Sequence, residues 1–538
     1  MISHPRTSAW ALSPALFIAL TGCGGIGKAS PSYSPPPGAA ATTRPMASPA
    51  SLERRRVRKG SSETTDWDSF GFDLQRTGYN PVESTVGASN VGTVQKLWSA
   101  NVGYSMVHEP VLAYGVSVNS QSTNVLYAGS ANGSAMYAIN AITGAVLWTD
   151  PVLHSSYRCM GQKLEFSIGE TPAIDRGKNL LYFSDGHNKV YAVDLGTGKT
   201  ASGWPLTIAD YLHDHNFMHG GLTYNPANGM LYAVTGSTCD ISPWYGRIVA
   251  IATSGPSVAG TFYTLTGTSE QGASGGGIWG PGGASIDPST NNVFVATGNA
   301  DTSTGATQNA GYAEQIVELS STLGTIIASN YPPNIPVDGD SDFDFGATPL
   351  LFQPYGCPEM LAAVNKSGMF ELYDVSSISS GPIQYIAMSI PTNKGDFVGV
   401  PAFDPVTGYV YVGLPASEGI YHPGLAAFSI QSNCTLNPTP VWNAKFGPDG
   451  KHLPGSQTPR SPISIANGVV YISNYSLKTE FAFDAATGTQ LWSVGLSDWG
   501  DVGTIVADGV VYVSARDGTI TAWAPAGSKA RKRNSQTR

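Results

Sequence analysis

Charge is scarce in this chain. Asp, Glu, Lys and Arg make up only 12% of its 538 residues, which excludes the long charge-laced helices of a coiled coil or helical array. Long apolar runs are missing too. The stretch that comes nearest to a membrane span, Ala9 to Leu20, is shorter than the ~20 residues a spanning helix needs and is interrupted by Pro14. Cysteine is limited to five residues. Basic charge is deficient where a fold can form: residues 66–527 keep 16 of the 29 Lys and Arg but 36 of the 38 Asp and Glu, about minus 20, which argues against nucleic acid as a partner. Gly (63) and Pro (37) are plentiful instead, a balance that favours many strands and turns.

At the N-terminus, Leu20-Thr-Gly-Cys23 follows Arg6 and the short apolar run, the layout of a secretory signal ending in a lipobox. Cys23 is expected to carry the lipid of a bacterial lipoprotein. Each buried CH₂ contributes roughly 0.8 kcal/mol and two or more acyl chains anchor stably, so the expected membrane contact is a tether on the cell envelope rather than a crossing. The resulting organisation is a signal over 1–22, a Pro/Ser/Ala-rich tether over 23–65 with the basic run Arg54 to Lys59, the fold over 66–527 and a basic tail over 528–538. The basic flanks read as solvated tails, with contact to anionic lipid as the alternative.

An internal repeat decides the fold. Tyr137-Ala-Ile-Asn-Ala-Ile-Thr-Gly-Ala-Val-Leu-Trp148 recurs as Phe481-Ala-Phe-Asp-Ala-Ala-Thr-Gly-Thr-Gln-Leu-Trp492, and more loosely as Tyr191-Ala-Val-Asp-Leu-Gly-Thr-Gly198 leading to Trp204. In each, Asn or Asp bonds back into a turn, Thr-Gly supplies the left-handed position and Trp is a large apolar plug. Two-residue turns at Asn467-Gly468 and Asp508-Gly509 open β-branched strands. Eight four-strand units result, near 109–151, 170–208, 219–265, 277–333, 344–390, 397–447, 460–496 and 501–524. The last lacks an outer strand, which Gln95-Lys-Leu-Trp-Ser99 can supply. The expected fold is all-β, an eight-bladed β-propeller closed by an N-terminal strand, with seven blades as the alternative count.

The repeat resembles that of the PQQ-like, quinoprotein-type propeller family, with its Ala-x-Asp-x-x-Thr-Gly-x-x-x-Trp motif, over nearly all of 66–527. That family includes quinone-dependent dehydrogenases and non-catalytic assembly lipoproteins, so function must come from the site. Gly276-Gly-Ile-Trp279, Thr297-Gly-Asn299, Asp342-Phe-Asp344 and Asn365-Lys366 occur in the order in which the dehydrogenases place their site. The resemblance implies pyrroloquinoline quinone stacked on Trp279, Lys366 against its oxygens, and calcium held by Asn299 and an acid such as Asp344. It does not place the base unambiguously. Aligning on Gly346 selects Asp340, whereas matching the aromatic-Asp pair to Phe343-Asp344 leaves Ser341 where the base should be; Asp342 and Asp344 lie nearest the inner strand and are the preferred candidates. The family's adjacent Cys-Cys pair and a segment for its calcium-binding glutamate are absent. No Cys-x-x-Cys-His occurs, so electrons would leave through an external acceptor.

Propeller topology puts inter-blade loops and the loops between second and third strands on one face, the top. Trp279, Asn299, Lys366, the acids Asp338 to Asp344 and the histidines His213, His215 and His219 all map there. Alternate acids of an extended segment share a side and either bind a cation or raise one another's pKa. The histidines read as a surface loop in preference to a transition-metal site. Of the four cysteines left after lipidation, Cys159 and Cys239 map to the top and Cys357 and Cys434 to the bottom, predicting Cys159–Cys239 and Cys357–Cys434 bridges between adjacent blades. Two functions are compatible with all this: a lipid-anchored quinoprotein dehydrogenase acting on alcohol or sugar hydroxyls, and a non-catalytic scaffold for envelope proteins. A carbohydrate-binding surface has only exposed aromatics behind it.

Overall fold

The computed structural model describes residues 66–103, 109–159, 162–211, 215–237, 239–265, 274–304, 306–307, 309–333, 343–388, 399–414, 421–446, 461–475 and 477–528, all within one compact unit. Eight antiparallel sheets, each built on four strands, follow in chain order. Blade 1 comprises Val111–Val118, Gln121–Ser130, Ala135–Asn140 and Val146–Pro151. Blades 2 to 7 occupy 173–207, 223–263, 285–330, 350–387, 402–445 and 464–495. Blade 8 has Ile505–Ala507, Val510–Ser514 and Thr519–Pro525 from the C-terminal end, and Val94–Asn101 pairs antiparallel with the last of these to complete it. The eight-bladed count and the closing strand are therefore as the repeat predicts. Among the described residues no helix is long and apolar enough to cross a membrane.

The repeat motif acts as a latch between blades. Asp194 Oδ1 accepts from the backbone N–H of Gly196 and Thr197, and Asn140 and Asp484 hold equivalent turns. The preceding blade's Trp lies across that turn. Trp148 Nε1 donates to Leu195 O at 3.0 Å, Trp98 Nε1 to Ala141 O at 3.1 Å and Trp442 Nε1 to Ala485 O at 3.0 Å. A Tyr hydroxyl from the same preceding blade, Tyr127, Tyr512 or Tyr411, donates to the same carbonyl. The Thr-Gly glycine is needed twice over: Gly198 has φ +70°, and a Cβ there would sit 2.9 Å from the Trp148 ring.

Residues 67–80 thread the central channel and touch the inner strand of every blade. Their carbonyls accept the inner-strand N–H groups in turn: Trp67 from Leu112, Asp68 from Ile174, Leu74 from Ile286, Gln75 from Leu351, Thr77 from Phe403 and Gly78 from Ile465. Arg76, fully buried, donates to Thr223 and to Ala284 O, and Asn80 Nδ2 donates to Val506 O, which brings in blades 3 and 8. The edge N–H groups that an open channel would leave unpaired are thus satisfied. Below, the Cys357–Cys434 disulfide joins blades 5 and 6 with its Cα atoms 5.6 Å apart. Cys239 is also disulfide-bonded; the side chain of Cys159, its expected partner, lies outside the described residues, as do Cys23 and the whole of 1–65.

Candidate functional site

A cavity of about 340 Å³ opens on the top face and is lined by inter-blade loops and second-to-third-strand loops. Trp279, Asn299, Asp344 and Lys366 all line it. Local packing explains how each is presented. The segment around Trp279 is stitched to its neighbours by backbone bonds from Ile278 to Thr235 O and from Gly298 to Gly277 O, at 3.0 and 2.7 Å. Phe343 and Phe345 are buried in the core between blades 4 and 5, so the intervening Asp344 projects toward the cavity. Lys366 stands on a turn held by Asn365, whose side chain bonds Glu371 and the Ser367 N–H.

These groups form one connected unit. Lys366 Nζ lies 2.7 Å from Asp344 Oδ1, and its backbone N–H donates to Asp344 O. Trp279 Nε1 donates to Asp344 Oδ2 at 3.0 Å. The Lys366 ammonium also sits 4.6 Å over the Trp279 ring. Glycine at 298 is enforced by the same contact, since a Cβ there would fall 2.8 Å from Asp344 Oδ2 and 3.1 Å from Trp279 Nε1. Asn299 donates through Nδ2 to Ala300 O, leaving Oδ1 as the atom suited to a cation.

The other expectations fare unevenly. Asp338, Asp340, Asp342 and His213 lie outside the described residues. His219 lines the cavity instead of the outer surface, and desolvation, reinforced by the charge of Arg516, pushes its pKa well below the ordinary value. His215 packs against Tyr157. Among the described residues no group of three or more His, Cys, Asp or Glu gathers to hold a metal ion. Asp344 faces donors on both oxygens, Lys366 Nζ at Oδ1 and Trp279 Nε1 at Oδ2.

Asp240, Trp244, Asp501 and Arg516 also line the cavity, and nothing in the sequence reading singled them out. Repeat register was the available signal. Ala515-Arg516-Asp517-Gly518 occupies in blade 8 the place of Asn365-Lys366-Ser367-Gly368 in blade 5, with the same backbone bonds from Gly518 to Ala515 O and from Gly368 to Asn365 O.

A family model described as the outer membrane protein assembly factor BamB matches residues 82–241 and 437–533. No curated protein matches the chain. Among solved structures, quinohemoprotein alcohol dehydrogenase from Comamonas testosteroni is 17% identical with a TM-score of 0.62, covering 86% of this chain and 81% of that one. A europium-containing methanol dehydrogenase is 14% identical with a TM-score of 0.64, covering 86% and 98%. BamB from Moraxella catarrhalis is 12% identical with a TM-score of 0.51, covering 80% and 99%. At such identities the likeness is one of fold.

Proposed function

We propose that this chain, a PQQ-like β-propeller by its repeat and its family match, is a quinone-dependent dehydrogenase, lipid-anchored in the cell envelope, that oxidises the hydroxyl groups of alcohols or sugars. The observation that carries this reading is the convergence of an aromatic ring, a cation and a carboxylate in one cavity, as Trp279, Lys366 and Asp344. The cavity's volume lies within the range of small-molecule sites. A bound quinone supplies the two-electron oxidant.

Trp279 and Lys366 would hold a bound quinone, the indole by offering an aromatic face and the ammonium by supplying positive charge as the quinone is reduced. In this reading Asp344, held against Lys366 and Trp279 at the cavity wall, is the carboxylate that takes the proton of a substrate hydroxyl. All four expected residues fall between 242 and 436, outside the stretches that match the BamB description. The second reading, a non-catalytic propeller that docks envelope proteins, draws its support from the matched stretches.

Titration of metal-stripped protein with pyrroloquinoline quinone, with and without calcium, followed by a panel of alcohols and an artificial acceptor, tests the proposal. Saturable quinone binding is expected, with Trp279→Ala weakening it about tenfold through lost stacking. Asn299→Ala should reduce any calcium dependence, and Lys366→Ala should impair quinone reduction more than binding. Asp344→Asn should still bind quinone yet lose turnover at every pH, because an amide cannot accept the proton. Folded protein that binds no quinone in either condition overturns the enzyme reading in favour of the scaffold. The anchor has its own test: Cys23→Ser should abolish labelling by a fatty-acid analogue and partition into detergent.

A further inference from the structure

The exposed apolar side chains of this propeller gather on its bottom face. Turns between first and second strands lie there, and fourth strands start there. Tyr355 and Val406 occupy such turns in blades 5 and 6 and are 92% and 78% exposed, more than any other large apolar side chain among the described residues. Ile326, Ile383 and Val441, each more than a third exposed, stand where the fourth strands of blades 4, 5 and 6 begin. The top carries only Leu153 and Trp499 of this kind among the described residues.

This edge is held in place. Phe352 and Phe403, on the two inner strands that lead into the Tyr355 and Val406 turns, meet with ring centres 4.9 Å apart. The Cys357–Cys434 disulfide ties the Tyr355 turn to blade 6, and the Val406 N–H donates to Asp404. A fixed apolar edge spanning three blades gains no hydrophobic free energy until something covers it, and surfaces of this kind mark contact sites.

The ends of the described fold identify the cover. Asp66 pairs at 2.8 Å with Arg176, which sits in the first-to-second-strand turn of blade 2, and Ser528 follows the third strand of blade 8, which also ends at the bottom. Both flanks therefore leave the fold from this face. Their nearest stretches, 51–65 and 529–538, carry ten Lys and Arg against Glu53 and Glu63. The acids of the bottom turns point inward: Asp175, Asp287 and Asp404 are each under 5% exposed and accept from the backbone N–H of Lys178, Ser289 and Val406. Basic segments are drawn to an anionic leaflet, tyrosine favours its headgroup level, and an acyl chain needs such a second signal to hold stably.

We propose that the bottom face seats on an anionic lipid surface, with the Tyr355–Val406 edge at the headgroups and the two basic flanks against them. The cavity then opens away from the bilayer, toward ligands arriving through water. The lipid anchor proposed above brings the face to the membrane, and the dehydrogenase reading plays no part in the contact.

Hydroxyl-radical footprinting of the full chain tests this, with phosphatidylcholine vesicles compared with vesicles that also contain phosphatidylglycerol. Tyr355 oxidation should fall about fivefold or more in the anionic vesicles, while Trp499 and Leu153 on the top keep their reactivity. The contrast should shrink in about 1 M salt, where charges are screened beyond roughly 3 Å. Lys529→Gln, Arg531→Gln, Lys532→Gln and Arg533→Gln together lie outside the fold and should return Tyr355 toward its reactivity in neutral vesicles. Equal Tyr355 reactivity in the two kinds of vesicle, or shielding of Trp499 in its place, overturns the proposal. Shielding of Tyr355 already complete in detergent also overturns it, and shows that the flanks cover their own face. An unlabelled Cys23 in the fatty-acid experiment removes the anchor alone, because vesicles added to the untethered chain still report which face they cover.

Discussion

Single residues show how burial sets the electrostatics of this propeller. Glu109 stands at the entry to blade 1 and is almost fully buried; its Oε1 accepts from Trp67 and Gly71, while Oε2 has no hydrogen-bond partner among the described residues. Desolvation outweighs those bonds and the nearby Arg76, and pushes the pKa up to about 8. Burial likewise raises Glu170 and Glu480 to about 7. A carboxyl whose folded pKa exceeds its unfolded one holds a proton the unfolded chain has lost, so its contribution to stability is complete below pH ~4.5 and falls as pH rises toward 8. Denaturant midpoints should therefore drop from pH 5 to pH 8. Glu109→Gln keeps the acceptor for Trp67 and removes the proton linkage, so the drop should shrink in the variant, by a few kcal/mol at most. An unchanged drop would mean that Glu109 does not titrate in this window.

At the scale of elements, the blade-to-blade latch makes the repeat more than a fold signature. Trp148 reaches from blade 1 across the Thr197-Gly198 turn of blade 2, so replacing Gly198 by Ala both strains a positive-φ position and drives a methyl into the indole. The expected cost is about 2 kcal/mol or more, read as a lowered denaturant midpoint, with a surface glycine such as Gly408, which has φ +71° but nothing within 4 Å, losing only the backbone part. Equal losses at the two positions would show that the indole contact adds nothing. The latch was legible in the sequence because turn chemistry and a large aromatic recur at fixed spacing. The channel-threading segment was not, because residues 67–80 pair through backbone carbonyls, and carbonyls leave no pattern in side-chain identity. Asp344 was among three acids that sequence left undecided, and burial of the flanking Phe343 and Phe345 is what turns it toward the cavity. Asp501 and Arg516 escaped notice because a lone acid and a lone cation in separate turns have no local periodicity; only superposing blade 8 on blade 5 exposes them.

For the whole molecule, residues 66–101 perform two closures at once. Val94–Asn101 supplies the outer strand of blade 8, pairing along Thr519–Pro525 and putting Trp98 against the Ala141 turn of blade 1. Residues 67–80 satisfy inner-strand N–H groups around the channel, and Arg76 is buried among three backbone carbonyls, those of Phe70 and Asp73 from its own segment and that of Ala284 from another. Without this stretch the ring would have an exposed strand edge at blade 8 and unpaired donors facing the channel, each a known route to aggregation or loss of cooperativity. Deleting 1–65, which leaves both closures in place, should yield a protein with an unchanged melting transition. Deleting 1–101 should lose the single cooperative transition and produce aggregating protein, even though blade 1 and every later strand remain. Supplying 66–101 as a separate peptide tests whether the effect is closure: recovery of a cooperative transition is the expected result. A 102–538 fragment that melts like the full chain would show that the blades hold the ring without their N-terminal segment.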